Sequence, residues 1–134
     1  MSKTILITGA SSGIGGASAR IFAKNGYRLI LNARRKERLK DLKRELETEF
    51  KSDILLLPFD VRDQKNVESE INNLPQEWKE IDVLLNNAGG VFSEFSLTED
   101  GYEKTIATNH LAYFVFTLKL LPIINKEQGR PSPP

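Results

Sequence analysis

Cysteine is absent from the chain, and His110 is its only histidine. Without thiols there is no disulfide, no thiolate nucleophile and no cysteine-ligated zinc site. A single histidine also argues against a histidine-based metal site and against a catalytic triad. Neither sign of charge is in excess, because 19 Lys+Arg oppose 18 Asp+Glu for a net charge of +1. We therefore expect neither nucleic acid nor an anionic membrane surface as a partner.

Long apolar runs are also lacking. A membrane helix needs about 20 apolar residues, whereas the longest largely apolar stretch, residues 111–121, stops at Pro122. The N-terminus does not have the charged-then-apolar order of a signal peptide, because its apolar run leads directly into Thr8 and Gly9. A length of 134 residues suits one domain. These features predict one cytoplasmic domain with no membrane span.

Two periodicities alternate along the chain. Short apolar, β-branched runs are typical of strands that are buried on both faces, and apolar residues at steps of three and four are typical of helices. Strands are predicted over residues 4–8, 28–33, 54–59 and 81–85, and helices over residues 14–25, 35–50, 63–74 and 98–121. Strand and helix in alternation indicate parallel strands joined by right-handed crossovers, and therefore an α/β fold.

The helical segments also predict which side chains face the sheet. In the first helix Ile14, Ala17, Ile21 and Phe22 recur at helical spacing, and we expect them to point inward. For the last helix, Thr98 is the predicted N-cap, because threonine caps well and two acidic residues follow it.

A glycine-rich turn, Thr8-Gly9-Ala10-Ser11-Ser12-Gly13-Ile14-Gly15, lies between the first strand and the first helix. A diphosphate binds at such a helix N-terminus. Gly9 permits the tight turn, Gly13 lets the backbone approach the phosphates, and Gly15 lets the helix pack closely on the sheet. The candidate diphosphate-binding residues are Gly9, Ser11, Ser12, Gly13, Ile14 and Gly15. The alternative is a strand-to-helix turn that merely favours glycine.

Three motifs together resemble the short-chain dehydrogenase/reductase family. They are the glycine-rich turn, Asp60-Val61 after the third strand, and Asn86-Asn87-Ala88-Gly89 after the fourth. Residues 1–89 are similar to NADP-dependent serine and 3-hydroxy acid dehydrogenases, while the stretch around Asn109 is more similar to the retinol-dehydrogenase type. The resemblance implies a Rossmann-type doubly wound parallel sheet in the order 3-2-1-4, with a nucleotide at the carboxyl ends of its strands.

The end of the second strand bears on the choice of cofactor. An NAD site usually offers a carboxylate to the ribose 2′-hydroxyl there, but this chain has Asn32-Ala33-Arg34-Arg35. Guanidinium groups match a 2′-phosphate in charge and geometry. By resemblance, Arg34 is the principal phosphate ligand and Arg35 an auxiliary one, so NADP is favoured over NAD. The alternative is that both arginines only begin a solvated helix.

The other two motifs supply the remaining candidate cofactor ligands. The resemblance implies that Asp60 accepts a hydrogen bond from the adenine amino group and that Val61 packs nearby. It also places Asn87, Ala88 and Gly89 beside the adenosine ribose. Two structural alternatives stay open: Asp60 as the N-cap of the next helix, and the asparagines as buried amides that tie the strands together.

The catalytic residues that the family implies are largely missing. Asn109 matches the asparagine of the family's proton relay, but the serine follows a fifth strand that the chain does not reach. No Tyr-x-x-x-Lys pair exists, since Tyr27, Tyr102 and Tyr113 precede Leu31, Ile106 and Thr117 by four residues. We therefore predict an incomplete Rossmann domain over residues 1–128, truncated after about four strands, with a disordered proline-rich tail over residues 129–134.

Two hypotheses of function follow from these features. In the first, the chain is the NADP-binding portion of an oxidoreductase whose complete relative transfers hydride between NADP(H) and an alcohol or carbonyl, and the chain alone is inactive. In the second, it is a non-catalytic interaction module. That module pairs with a second copy or an intact homologue through an open sheet edge and residues 102–121.

Overall fold

Four short strands form one parallel sheet in the order β3-β2-β1-β4, as predicted. The computed structural model describes residues 2–11, 13–89 and 94–124. The strands are β1 (Thr4–Ile7), β2 (Arg28–Asn32), β3 (Ile54–Leu57) and β4 (Val83–Leu85). Central strand β1 pairs with β2 on one side and with β4 on the other, and all its residues are buried. Its continuous apolar sequence is thus explained by cover on both faces.

Helices cover both faces of the sheet and make it doubly wound. They are α1 (Gly13–Lys24), α2 (Lys36–Phe50), α3 (Gln64–Asn72), α4 (Lys104–Ile106) and α5 (Ala112–Leu120). Residues of α1 and α2 share one buried cluster with Ile5 and Ile7 of β1. Residues of α3 and α5 share the other with Leu6. Alternate residues of one strand therefore serve two cores.

The predicted inward face of α1 is wrong for three of its four residues; Phe22 alone is partly buried and packs against the core. Ile14 is 76% exposed and Ile21 is 61% exposed, and Ala17 is also exposed. The buried residues of this helix are all small: Gly15, Gly16, Ala19 and Ala23. Because α1 starts directly against the turn that leaves β1, its axis lies close to the sheet, and only small side chains fit between them.

The predicted start of the last helix is also wrong. Thr98 is no N-cap; it sits in a turn, where its Oγ1 accepts a 3.2 Å hydrogen bond from the Tyr102 amide. Gly101 follows with a φ of +83°, which is incompatible with a continuing helix. The cap is Glu103, whose carboxylate accepts from the Thr105 and Ile106 amides at 3.0 Å each. These hydrogen bonds hold the pKa of Glu103 below its usual value.

A π-helical turn, Ala107–Leu111, joins α4 to α5. π-Turns are rare and mark places where a helix is locally re-aimed, often at functional sites. Helix α5 then ends at Leu120, shortly before Pro122, as the proline predicted. Within the described ranges, no helix has both the length and the apolar composition needed to cross a bilayer.

Strand β4 is the outermost strand of the sheet, where an open sheet edge was predicted. Ile81, two residues before β4, forms an isolated parallel bridge with Ile124. Beyond that bridge Val83 is 38% exposed. The predicted tail, residues 129–134, lies outside the described residues.

A buried amide holds the carboxyl ends of β2 and β3 together. Asn32 is 1% exposed, and its Nδ2 donates to the carbonyl oxygens of Leu57 at 2.9 Å and Phe59 at 3.0 Å. The backbone carbonyl of Asn32 accepts a 2.9 Å hydrogen bond from the backbone amide of Ala10. One residue thus places the turn after β1 and the loop after β3 relative to β2.

Replacing Asn32 by Ala should leave the Leu57 and Phe59 carbonyls without their donor. A buried acceptor without a partner costs about 1–3 kcal/mol, so urea unfolding should show a loss of roughly 2–4 kcal/mol. The matched control is Asn72→Ala at the exposed end of α3, which should change the free energy of unfolding by less than about 0.5 kcal/mol. Equal effects of the two substitutions would contradict the role of Asn32.

Candidate functional site

The hydroxyl of Thr8 joins the ends of β1 and β4. Its Oγ1 accepts hydrogen bonds from the Asn87 and Ala88 amides, both at 2.9 Å, and donates to the Leu85 carbonyl at 3.4 Å. Thr8 is 1% exposed. The chain therefore leaves the two central strands along one shared path, with residues 87–88 packed against the glycine-rich turn.

Backbone atoms approach each other closely within this turn. A Cβ atom on Gly15 would lie 2.1 Å from the Gly9 carbonyl oxygen and 2.6 Å from Asn87 Nδ2. A Cβ atom on Gly9, whose φ is +65°, would lie 2.8 Å from the Ala88 Cα. The Asn87 side chain itself donates to the Gly9 carbonyl at 3.3 Å. Asn87 therefore has the structural role left open by the sequence, and it holds the turn against the helix.

The start of α1 is open on its outer side. Gly13 has a φ of +57°, and a Cβ atom built on it would meet nothing within 4 Å. The first turn of α1 holds no acidic residue, and the exposed Ile14 flanks it. Free amides and the positive end of the helix dipole make such a terminus a binding site for phosphate oxygens. Ser11 is half-buried beside it, and Ser12 lies outside the described residues.

Two arginines follow β2, at the carboxyl ends of the strands. Arg34 and Arg35 are both exposed. Arg35 occupies the N-cap position of α2 without a side-chain capping bond. The charge of Arg34 contributes to lowering the pKa of Asp60. The adjacent ends of β2 and β3 therefore place the Arg34 cation close enough to act on the Asp60 carboxylate.

Asp60 follows β3 but does not cap the next helix, so that alternative is excluded. The cap of α3 is Asp63, whose Oδ1 accepts from the Asn66 amide at 3.2 Å. Asp60 instead pairs with Arg62, its nearest nitrogen–oxygen distance being 2.7 Å. Burial alone raises the pKa of Asp60, but hydrogen bonds from Arg62 outweigh this and hold that pKa below its usual value. Val61, half-buried, packs against the α3 side of the core.

Asn109 lies in the π-helical turn, against the loop that follows β4. A Cβ atom on Gly89 would lie 2.6 Å from Asn109 Oδ1 and 3.3 Å from the Tyr113 hydroxyl. Burial raises the pKa of Tyr113. Tyr113 was not predicted to lie near the site, although its spacing of four residues from Asn109 places both on one helix face.

A second link joins the β4 loop to α5. Asn86 Nδ2 donates to Thr117 Oγ1 at 2.9 Å, and Asn86 Oδ1 is buried without a hydrogen-bond partner. Asn86, like Asn87, therefore has a structural role. Within the described ranges, no cluster of three or more acidic or histidine side chains offers a metal site.

The glycine-rich turn, the N-terminus of α1 and the loops after β2, β3 and β4 all lie at the carboxyl ends of the parallel strands. The family whose sequence model matches this chain is described as short chain dehydrogenase, and the match covers residues 3–130. The chain belongs to the short-chain dehydrogenase/reductase family. This confirms the resemblance carried by the three sequence motifs.

Two curated relatives illustrate the similarity. The chain is 42% identical over 132 residues to the NADP-dependent 3-hydroxy acid dehydrogenase of Schizosaccharomyces pombe, covering 95% of this chain and 51% of that protein. It is 38% identical over 132 residues to the serine 3-dehydrogenase of Agrobacterium fabrum, covering 96% of this chain and 51% of that protein. The chain thus spans about half the length of the curated relatives it matches.

Solved structures of the family share this fold. A short-chain dehydrogenase from Sphingobium yanoikuyae, solved in complex with NADPH, matches with a TM-score of 0.73 and 35% identity. The match covers 90% of this chain and 47% of that chain. The four-stranded sheet of this chain and its helices therefore match the fold of the corresponding part of a family member.

Replacing Gly15 by Ala should disrupt the turn, because the added methyl would collide with the rigid Gly9 carbonyl. Overpacking of this kind costs about 1–3 kcal/mol, which urea unfolding would measure. Gly16→Ala is the matched control. Its Cβ would lie 3.4 Å from the nearest atoms, and Ala is favoured over Gly within a helix. Its stability should stay within about 0.5 kcal/mol of the parent or rise. A tolerated Gly15→Ala would contradict the close packing.

Proposed function

We propose that this chain is the NADP-binding portion of a short-chain dehydrogenase/reductase. The observation that carries the proposal is the open N-terminus of α1. It lies at the carboxyl ends of the strands, as Arg34 and Asp60 do. The relative from S. pombe is NADP-dependent by name, and the S. yanoikuyae structure contains NADPH. The residues at the carboxyl ends of β1, β2 and β3 suit the diphosphate and the adenosine end of such a cofactor.

The diphosphate would lie over the start of α1. The open space above Gly13 admits its oxygens to the backbone amides, and the missing acidic side chain leaves the positive helix end uncompensated. Gly9, Gly15 and Asn87 would act indirectly by holding this terminus against the turn. Ser11 and Ile14 would border the diphosphate, and Ser12 is included by its place in the motif alone.

The adenosine end would lie across the ends of β2 and β3. Arg34, with Arg35 as an auxiliary cation, would receive the 2′-phosphate that distinguishes NADP from NAD. No carboxylate competes at the end of β2, where Asn32 is occupied by its two backbone acceptors. Asp60 and Val61 would border the adenine, and Ala88 and Gly89 the ribose.

The complete relative would transfer hydride between NADP(H) and an alcohol or carbonyl, the chemistry that the nicotinamide supplies when bound. Among the residues of this chain, Asn109 lies where the β4 loop approaches the π-helical turn. No Tyr-x-x-x-Lys pair occurs in the 134 residues. Positioned acid–base catalysis contributes about 10²–10⁴-fold to rate, so we expect the chain alone to bind nucleotide without useful turnover.

Binding of NADP and NAD to the chain tests this proposal. NADP at 100 times its dissociation constant should stabilise the fold by about 2.7 kcal/mol, which raises Tm, and NAD at the same concentration should stabilise it less. Arg34→Asp should reverse this preference, because a carboxylate repels the 2′-phosphate and accepts from the ribose 2′-hydroxyl. Calorimetry gives both dissociation constants.

The matched control is Arg44→Asp, the same charge change on the exposed middle of α2. It should leave the NADP preference within about twofold of the parent, since exposed charges at a distance are screened. Unchanged selectivity in Arg34→Asp would remove Arg34 from the site. Absence of binding by both nucleotides would overturn the proposed function itself.

One observation favours a second candidate, the non-catalytic interaction module. Phe114 and Leu118 of α5 are exposed, and so is Leu121, the C-cap residue of this helix. Their spacings of four and three residues place them in one apolar stripe. Exposed stripes of this kind mark interaction surfaces. The partner would be a second copy of the chain or an intact homologue.

Phe114→Asp should weaken self-association about tenfold or more if this stripe is the contact, because a carboxylate would be buried against apolar side chains. Light scattering coupled to gel filtration measures the effect. Ile21→Asp, the same change at an exposed apolar position of α1, is the control and should have little effect. A clean monomer over a wide concentration range, with no inhibition of an added intact homologue, would contradict the second candidate.

A further inference from the structure

One exposed face runs from α4, through the π-helical turn, to the C-cap of α5. Among the described residues of 106–121, the exposed ones recur at steps of four, four, four and three, and we call them the extended stripe: Ile106, His110, Phe114, Leu118 and Leu121. The four apolar members are each about half exposed or more. Steps of four overshoot an α-helical turn of about 3.6 residues. The wider π-turn offsets this overshoot, so the five residues share one face.

The extended stripe is uncharged while His110 is neutral. None of its other members is acidic or basic, although charged residues make up 28% of the chain. Two charged groups at its sides are engaged elsewhere. Lys119 pairs with Glu68 of α3, and the Glu103 carboxylate accepts from the first amides of α4. A charged partner surface would be desolvated here without a counter-ion. The stripe therefore suits a partner face that is apolar and uncharged over a similar length.

A second copy of the chain offers such a face. Under twofold symmetry the stripe meets itself, and no like charges are brought together. Phe114 lies near the middle of the stripe, so an antiparallel pair centred there would set His110 of one copy against Leu118 of the other. Residues four apart form ridges that interdigitate when two helices pack. The stripe is therefore complementary to its own copy in charge, length and spacing.

His110 is the member of the stripe whose charge changes near neutral pH. Histidine is the side chain that ordinarily gains its proton between about pH 8 and pH 5. A neutral imidazole presents an apolar body that can pack against a leucine. An imidazolium in the same place would lose its hydration to apolar neighbours, which disfavours the charged form.

We propose that a second copy of the chain covers the extended stripe and that His110 makes this association sensitive to pH, because neutral imidazole permits pairing and imidazolium opposes it. The inference rests on the second candidate function, since it names the partner and the regulation of that surface. Separated chains bind more protons than paired ones, so association weakens as pH falls. With two histidines per pair, the dissociation constant can rise by up to about a hundredfold per pH unit.

Other titratable groups around this helix keep their charge state between about pH 7.5 and pH 5.5. Burial raises the pKa of Tyr113, one turn after His110, so its hydroxyl stays protonated. The cap hydrogen bonds hold the pKa of Glu103 below its usual value, so its carboxylate stays ionised. Carboxylates and ammonium groups ordinarily keep their charge over this range. Those of α3, of the helix itself and of the turn before α4 are Lys65, Glu68, Glu70, Lys104, Lys119, Glu99 and Asp100.

Sedimentation equilibrium at about pH 7.5 and pH 5.5, at constant ionic strength, tests the inference. It is applied to the parent chain, His110→Leu, His110→Lys and the control double variant His110→Leu/Ile21→His. The control returns a histidine to an exposed apolar position of α1, outside the stripe. His110 and Ile21 are both exposed, and exposed positions tolerate substitution. Circular dichroism at both pH values checks that each variant is folded.

In the parent chain we expect the dissociation constant of the pair to rise about tenfold or more from pH 7.5 to pH 5.5. His110→Leu should pair at least as tightly as the parent at pH 7.5, and its dissociation constant should change by less than about twofold at pH 5.5, because no imidazole titrates. The double variant should match His110→Leu. His110→Lys carries its charge at both pH values, so it should pair as weakly at pH 7.5 as the parent does at pH 5.5.

The outcomes separate this inference from the proposed functions. If the parent pairs equally well at both pH values, or His110→Leu keeps the pH dependence, the inference is wrong and the interaction module stands. A parent chain that is monomeric at both pH values overturns the inference. If that monomer binds an added intact homologue, the module stands with the homologue as its partner; if it does not, the module falls too. Calorimetry with NADP tests the first proposed function independently of all these results.

Discussion

The architecture of the site depends on one close approach, that of the first residues of α1 to the Gly9 carbonyl. With no side chain at Gly15, the helix begins directly above the turn, and Asn87 Nδ2 reaches the same carbonyl. That contact places the helix axis against the sheet, which accounts for the small residues on its buried face. The outer side of the helix start is open, because a Cβ atom on Gly13 would meet nothing within 4 Å.

Buried polar groups also hold the loops that follow the carboxyl ends of the strands. The Thr8 hydroxyl binds the start of the β4 loop, and the Asn32 amide binds the β3 loop. Each satisfies backbone groups that would otherwise lie unpaired in the interior. Hydrogen bonds near the core therefore hold the loops that carry Arg34, Asp60 and Gly89 together at the carboxyl ends of the strands.

The sequence predicted much of the fold, and the failures have local causes. Strand order and sheet type are as predicted, because short apolar runs coincide with buried strands. The face of α1 was wrong because periodicity weighs large side chains, whereas the close contact selects small ones. The start of the last helix was wrong because Glu103 offers two acceptors where Thr98 is drawn into a turn.

By itself the sequence determined the alternation of strands and helices and the motifs at their junctions, because both depend on residue type and local spacing. Only the tertiary structure decided which side chains meet across the sheet. Asn87 proved to bind the Gly9 carbonyl, Asp60 to pair with Arg62, and Tyr113 to approach Gly89 beside Asn109. Such meetings depend on how far each strand and turn carries the chain, which the spacing of residues along the sequence does not contain.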